Sequence, residues 1–151
     1  MAKRMAGNHL LREPGGAAPV LDLAFDSGTL GLLRAEVEAG ARRAGLPEAR
    51  AQDVVLAVHE LAANAVRHGA GTGRLRMWML TGALRCEVDD GGPRADTYQL
   101  VPVNSWPSRP GHGLWVVRQI ANRVRILSGA RGTRATVTFD LPAGFPPAGL
   151  A

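Results

Sequence analysis

The stretch between Pro47 and Gly69 carries a long and clear helical pattern. Proline is common in the first turn of a helix and glycine directly after its last residue, so these two residues mark the ends. The pattern predicts a helix from Pro47 or Glu48 to His68 that lays one face on a core. Its apolar stripe consists of Val54, Val58, Leu61 and Ala65.

Strands and two further helices flank this segment. Alternating apolar and polar residues predict the strands, and helical spacing predicts the helices. Asp26 and Ser27 supply capping chemistry for the helix that follows them, and Thr81-Gly82-Ala83 predict a tight hairpin. The predicted strands cover residues 20–25, 74–80, 84–88, 124–128 and 134–141, and the other predicted helices cover 29–44 and 113–122.

Helices and strands therefore occur in blocks rather than in strict alternation. This order favours an α+β fold, a two-layer sandwich in which helices cover one face of a mainly antiparallel sheet. Residues 94–110 show no clear period and predict a long loop. Long loops without secondary structure in small domains are usually functional.

The length of 151 residues favours a single domain. Residues 1–19 are polar, contain Gly and Pro and lack a period, so they predict a disordered leader, and residues 142–151 predict a flexible tail. The folded domain is expected at residues 20–141. One cysteine, Cys86, excludes an internal disulfide framework.

Charge and hydropathy restrict the partners. The formal net charge is +5, and Lys3 is the only lysine among 18 basic residues. The arginines are spread along the chain without a run of four, so nucleic acid is an unlikely partner. No apolar stretch has the length of a membrane span or the form of a signal peptide, which predicts a cytoplasmic protein without a membrane partner.

Three polar side chains follow one another along the predicted central helix. Glu60 and Asn64 are four residues apart and project from one helix face, and His68 continues the row. A carboxylate beside a carboxamide offers oxygen ligands for Mg²⁺ and a proton acceptor. Taken alone, the row is more often the polar side of an amphipathic helix.

A second group of residues stands where a predicted strand ends, at Asp89-Asp90-Gly91-Gly92. Glycines let the backbone approach a planar ligand, and an ionised Asp accepts a hydrogen bond from an exocyclic amine such as that of adenine. An ordinary Asp-Gly turn explains the same residues.

The third group opens the last predicted helix, from Arg109 through Gly111-His112-Gly113 to Leu114. Free backbone amides at a helix start favour phosphate, although a plain glycine-rich turn is about as common. Thr133, which follows Gly132 before the last strand, is a further candidate because its hydroxyl group can reach a ligand, although it is more often an ordinary strand residue.

In combination these groups resemble the histidine-kinase-like (Bergerat-fold) ATPases, and among them the small anti-sigma-factor serine kinases. The resemblance covers about residues 20–141. No single motif decides it, because the order and spacing of the groups carry it. The segments that resemble that branch are HELAANAVRHG, EVDDGGPR, GHGLWVVRQIANRV and RGTRATVTF.

The resemblance implies ATP and Mg²⁺ as cofactors and assigns roles by position. Glu60 would be the general base and Asn64 the Mg²⁺ ligand. Asp89 or Asp90 would hold the adenine amino group, and Asp90 fits better because it continues the alternation of Leu84, Cys86 and Val88. The remaining nucleotide-binding positions would be His68, Gly92, Arg109, Gly111, His112, Gly113, Leu114 and Thr133.

The resemblance also implies the biological role. Proteins of this branch bind a sigma factor and phosphorylate a serine or threonine of an anti-sigma-factor antagonist, and homodimers are common among them. No lysine stands in the loop that would cover the γ-phosphate, so Arg109 or Arg94 would have to neutralise it. The alternative is therefore an ATP-responsive protein-binding regulator without kinase turnover.

Overall fold

A computed structural model describes residues 18–90, 99–101, 113–129 and 132–142. Most of the predicted leader and tail, residues 1–17 and 143–151, lies outside these ranges. In chain order the elements are β1 (Leu21–Asp26), α1 (Leu30–Arg43), α2 (Glu48–His68), β2 (Thr72–Leu80), β3 (Ala83–Asp89), β4 (Gln99–Val101), α3 (Gly113–Ile120), β5 (Arg123–Gly129) and β6 (Gly132–Asp140).

The strands form one six-stranded sheet in the order β1-β2-β3-β6-β5-β4. Every neighbouring pair is antiparallel, which confirms the α+β sandwich and makes the described sheet antiparallel throughout. The hairpin between β2 and β3 is shorter than predicted by one residue, since Leu80 pairs with Ala83. Gly82 takes a φ of 73° in the resulting two-residue turn, a conformation that glycine adopts without a steric penalty.

The sheet has two faces of different chemistry, because successive strand residues point to opposite sides. The inner face is apolar and joins the helices in a shared core; on three adjacent strands it consists of Leu75, Met77, Leu84, Cys86, Val88, Ala135, Val137 and Phe139 among others. The outer face consists of the alternate residues, among them Arg76, Trp78, Glu87, Asp89 and Arg134.

All three helices contribute side chains to the core on the inner face. The stripe predicted on α2 is buried, with Val54, Val58 and Leu61 at most 1% exposed. Leu33 and Val37 of α1 and Leu114 and Val117 of α3 join the same cluster. None of the described helices is both long and apolar enough to cross a membrane.

Two predictions of local structure are wrong. Residues 99–101, predicted as loop, form β4, which pairs with Ile126–Ser128 of β5. Three residues are too few to show a period, and strand pairing is made by backbone hydrogen bonds, which a pattern of side chains does not reveal. The third helix ends at Ile120 rather than Asn122, whose side-chain oxygen accepts hydrogen bonds from Arg50 and from the backbone N–H of Asp140.

The predicted cap of α1 also differs in detail. The residue directly before the helix is Thr29, and it makes no side-chain capping bond to the helix. Asp26 instead accepts hydrogen bonds from the backbone N–H of Gly28 at 2.9 Å and from the Thr29 hydroxyl at 3.2 Å. These bonds close a local turn that leads from β1 into α1.

Candidate functional site

Three segments meet at the end of the sheet where β3 stops and β6 begins. Asp90 follows β3 directly, and its backbone N–H donates to the Thr133 carbonyl at 3.2 Å. The last turn of α2 lies next to it, because Gly69 follows the helix and lies close to the Asp90 backbone and Cβ. Asp90 therefore lies between the end of α2 and the start of β6.

The Asp90 side chain occupies space that is open only because Gly69 and Gly132 have no side chains. A Cβ atom at Gly132 would overlap the Asp90 carboxylate oxygen Oδ1. A Cβ atom at Gly69 would lie 2.9 Å from the Asp90 Cβ and 2.5 Å from the Ala65 carbonyl oxygen. Any larger residue at either position would push Asp90 away from this place.

Asp89 and Asp90 point to opposite faces of the sheet. Asp89 lies on the outer face, where its Oδ1 accepts a hydrogen bond from the Arg134 Nε at 2.8 Å. Asp90 continues the inner-face series of Val88 and lies beside α2. Asp90 is therefore the carboxylate on the side of the sheet that the helices cover.

The α2 residues of the candidate site differ in exposure. Asn64 is buried at 4% exposure, Glu60 is half-buried and His68 is exposed. The Asn64 Nδ2 has no acceptor among the described residues. The Asn64 Oδ1 has one long contact, 3.5 Å from an Arg67 Nη2. A buried amide with so little internal bonding retains hydrogen-bonding and ligating capacity for another group.

The phosphate end of the predicted site is only partly described. Gly113 is the first residue of α3, and Leu114 is buried in the core at 2% exposure. Thr133 is half-buried in β6, beside Asp90. The predicted residues Gly92, Arg109, Gly111 and His112 lie outside the described residues.

Neither a preformed metal cluster nor a reactive thiol occurs in the described part of the chain. It holds no group of three or more His, Cys, Asp and Glu side chains placed for a metal ion. Cys86, on the inner face in the middle of β3, is fully buried, and burial raises the pKa of its thiol to about 12. A protonated, enclosed thiol is a packing residue rather than a nucleophile.

Two residues beside Asp90, Gly69 and Gly132, were not predicted as site residues from the sequence. In the sequence, Gly69 was assigned only to the end of a helix, and Gly132 only to the position before Thr133 and the last strand. Each stands inside a segment that carried the family resemblance, HELAANAVRHG and RGTRATVTF. These two segments could therefore have pointed to Gly69 and Gly132 as site residues. That both glycines lie against Asp90 could not be predicted, because it depends on the tertiary fold.

Comparison with known proteins identifies this arrangement. Residues 23–139 match the family model described as the histidine kinase-like ATPase domain. The chain belongs to this family. The match includes α3 and also α2, the end of β3 and the start of β6, which are the three segments that meet at Asp90.

A solved structure supports the fold of this ATPase domain. The crystal structure of the RsbU and RsbW domains of Rv1364c from Mycobacterium tuberculosis is similar with a TM-score of 0.59 and 23% sequence identity. The similarity covers 82% of this chain and 33% of that one, so the chain spans about a third of its length. No curated protein matches the sequence significantly.

Proposed function

We propose that this histidine-kinase-like ATPase domain binds ATP with Asp90 at the adenine amino group. The observation that carries the proposal is the position of Asp90, set between Gly69 and Gly132 on the helix-covered side of the sheet. A carboxylate accepts hydrogen bonds, and the exocyclic amine of adenine donates them. Thr133, whose carbonyl accepts from the Asp90 N–H, adds a hydroxyl at the same end.

The described residues also fit a nucleotide with Mg²⁺. The buried Asn64 provides an amide oxygen with one long internal contact. Protein-bound Mg²⁺ usually keeps several waters and shares its sites with substrate phosphates, so one or two protein ligands are enough. Bound Mg²⁺ would neutralise phosphate charge, and Asn64 would hold it on α2.

Glu60 is the proposed general base. It lies one helical turn before Asn64 on α2 and is half-buried. From this place its carboxylate would take the proton of the hydroxyl group that attacks the γ-phosphate. Phosphoryl transfer depends mainly on position and charge neutralisation, and a base one helical turn from the Mg²⁺ ligand would suit both requirements.

We further propose that the protein is a cytoplasmic anti-sigma factor and a serine/threonine kinase for an anti-sigma-factor antagonist. The motifs resemble that branch of the family. The solved structure that shares the fold contains an RsbW domain. The sigma factor and the antagonist would then be its protein partners.

Binding of a fluorescent ATP analogue tests the nucleotide site. Asp90→Asn should weaken binding by about tenfold or more with or without Mg²⁺, because hydrogen bonds to charged groups contribute about 1.5–3 kcal/mol. Asn64→Ala should weaken it mainly when Mg²⁺ is present. Asp89→Asn is the matched control, since Asp89 is the preceding residue on the other face, and it should bind like the wild type.

The same variants separate binding from phosphate transfer. Glu60→Gln should bind the analogue normally and lose about 100-fold or more of transfer from γ-labelled ATP to an antagonist protein. Normal binding without transfer by the wild type would instead favour the regulator that lacks kinase turnover. Equal affinities for Asp90→Asn, Asp89→Asn and the wild type would contradict the proposed site.

A further inference from the structure

Arg50 joins the beginning of α2 to the end of α3. Its Nη1 donates to the Ile120 carbonyl at 2.7 Å, and its Nη2 donates to the Asn122 Oδ1 at 2.8 Å. Nη1 also donates to Asp53 of the same helix at 2.8 Å. The guanidinium lies 5.0 Å from the centroid of the Phe139 ring on the inner face of the sheet. One side chain therefore connects α2, the end of α3 and β6.

The bond to Ile120 caps the carboxyl end of α3. Ile120 is the last residue of that helix, and the carbonyl groups of the last turn have no partner within a helix. A cation at this end also interacts favourably with the helix dipole. α3 has 8 residues, whereas isolated helices shorter than about 12–15 residues are marginal in water. The position of α3 therefore depends on contacts with the rest of the fold, and Arg50 supplies a charged one.

The second acceptor of Arg50 is itself fixed to the sheet. The Asn122 Oδ1 also accepts a hydrogen bond from the backbone N–H of Asp140, and the Asn122 N–H donates to the Thr138 carbonyl at 3.0 Å. Both partners belong to the end of β6, whereas Asp90 lies at its start. Arg50 therefore fastens α3 at the end of the sheet that is far from the proposed adenine position.

α3 runs antiparallel to α2. The two helices pack on each other. α2 begins at Glu48, so a helix whose last residue lies beside Arg50 can pack along α2 only by running in the opposite direction. The first residue of α3, Gly113, therefore lies further along α2 toward its carboxyl end. The helical rise puts Gly113 about 10 Å from Ile120.

The face of α2 that carries Arg50 also carries Asn64. Arg50, Ala57 and Asn64 are spaced at intervals close to two full helical turns, so they form one row. Ala57 is fully buried, and Asn64 is 4% exposed with its Nδ2 lacking an acceptor among the described residues. Arg50 and Asn64 are about 21 Å apart along the helix axis, roughly twice the length of α3. The start of α3 therefore lies between them, on the way to the proposed Mg²⁺ ligand.

We infer that Arg50 is a positioning residue of the nucleotide site, because it sets where the start of α3 lies relative to Asn64. The inference rests on the proposed function and on the predicted place of Gly113 and Leu114 at the phosphates. Arg50 acts through α3 and does not touch the nucleotide. Its removal should release the start of α3 and weaken phosphate binding, whereas the adenine end at Asp90 keeps its geometry.

Competition between nucleotides tests the inference in the full chain. Dissociation constants for Mg²⁺·ATP and for AMP are measured by displacement of the fluorescent ATP analogue. Arg50→Met should weaken Mg²⁺·ATP binding about tenfold or more and AMP binding less than about twofold, because the lost bonds are charged and hold only the phosphate end. Arg50→Lys keeps the charge without the planar fork and should lie between Arg50→Met and the wild type. A merely structural role would weaken both nucleotides by the same factor.

Arg42→Met is the matched control. Arg42 also joins two helices, since its Nη2 lies 2.7 Å from Glu38 of α1 and 2.8 Å from Glu48 of α2. These partners belong to α1 and α2 and not to α3. Arg42→Met should therefore leave both dissociation constants close to those of the wild type.

Hydrogen exchange measures the anchoring of α3 without nucleotide. The amides of residues 113–120 should exchange about tenfold faster in Arg50→Met than in the wild type, whereas those of residues 54–65 of α2 should not. Far-UV circular dichroism identifies variants that fold, and Arg50→Lys replaces Arg50→Met in both measurements if the latter does not.

Three results would overturn the inference and leave the proposed site intact. They are unchanged exchange of α3, equal weakening of Mg²⁺·ATP and AMP in Arg50→Met, and equal effects of Arg42→Met and Arg50→Met. Failure of the folded wild type to bind Mg²⁺·ATP would instead overturn the proposed function, and this inference with it.

Discussion

The inner and the outer face of the sheet are built from the same strands but are stabilised differently. On β3 the inner residues Leu84, Cys86 and Val88 alternate with Arg85, Glu87 and Asp89 of the outer face. The inner face buries apolar area against three helices, which is the dominant favourable contribution to folding. The outer face buries charged groups, which gain little unless each is paired. Burial therefore stabilises the inner face directly, whereas on the outer face it stabilises the fold only where the buried charges are paired.

Burial shifts the pKa values of two charged groups at the centre of the outer face, Glu87 and Arg85. Arg134 Nε lies 2.8 Å from Asp89 and 3.2 Å from Glu87. Burial nevertheless raises the pKa of the Glu87 carboxyl, more than the Arg134 charge lowers it. Burial also lowers the pKa of Arg85, against the opposite effect of Glu87. On this face desolvation outweighs pairing at some positions.

The largest effect is expected where the inner face is most tightly packed. Phe139 of β6 is fully buried, and the Arg50 guanidinium lies 5.0 Å from its ring centroid. Phe139→Ala should lower the free energy of unfolding by about 3–5 kcal/mol, measured by urea denaturation, because it removes a buried ring and leaves a cavity. Thr138→Ala, the adjacent outer-face residue, is the control and should cost about 1 kcal/mol. Equal losses of unfolding free energy in Phe139→Ala and Thr138→Ala would contradict the proposed energetic difference between the two faces.

The next effect concerns the ion pairs at the centre of the outer face. Arg134→Met should cost about 3 kcal/mol, since it leaves the Glu87 and Asp89 carboxylates without their shared partner. The Glu87 carboxyl has a raised pKa in the fold, so its stability contribution is present at low pH and is lost as pH rises through that pKa. Loss of Arg134 should raise this pKa further, and the deficit of the variant should therefore shrink on acidification.

Denaturation of Arg134→Met at neutral and at acidic pH measures this change. Arg123→Met at the start of β5 is the matched control, with a side chain 64% exposed, and it should be nearly neutral at both pH values. A deficit that stays constant or grows on acidification would show that the cost of losing Arg134 does not come from its pairing with the Glu87 and Asp89 carboxylates.

The difference between the faces also decides what could be predicted from the sequence. The inner face follows from local patterns: Pro47, Gly69 and an apolar stripe predicted α2 within a residue, and the alternation before Asp90 predicted its side of the sheet. The ion pairs of Arg134 with Asp89 and Glu87 could not be predicted, because they join residues that are 45 or more positions apart. The same holds for β4 and for the approach of Gly69 and Gly132 to Asp90, which depend on strand pairing and not on side-chain periods.

The smallest effect should occur at the edge of the outer face. Asp22 of β1 accepts hydrogen bonds from Arg74 at 2.6 and 2.9 Å, yet both side chains are partly exposed, at 31% and 52%. Asp22→Asn should therefore cost only about 0.5 kcal/mol at neutral pH, and less in high salt, because solvent and ions screen the pair.

The pH dependence of this pair has the opposite sign to that of Glu87. The hydrogen bonds from Arg74 hold the pKa of Asp22 below its ordinary value of 3.8. The stabilising contribution is present above the unfolded pKa and is lost as pH falls through the folded one, so Asp22→Asn and the wild type should converge in acid. Urea denaturation across this range measures both variants. A loss above about 2 kcal/mol would exceed what exposed pairs contribute, and it would show that this edge pair stabilises the fold as strongly as the buried pairs of Arg134.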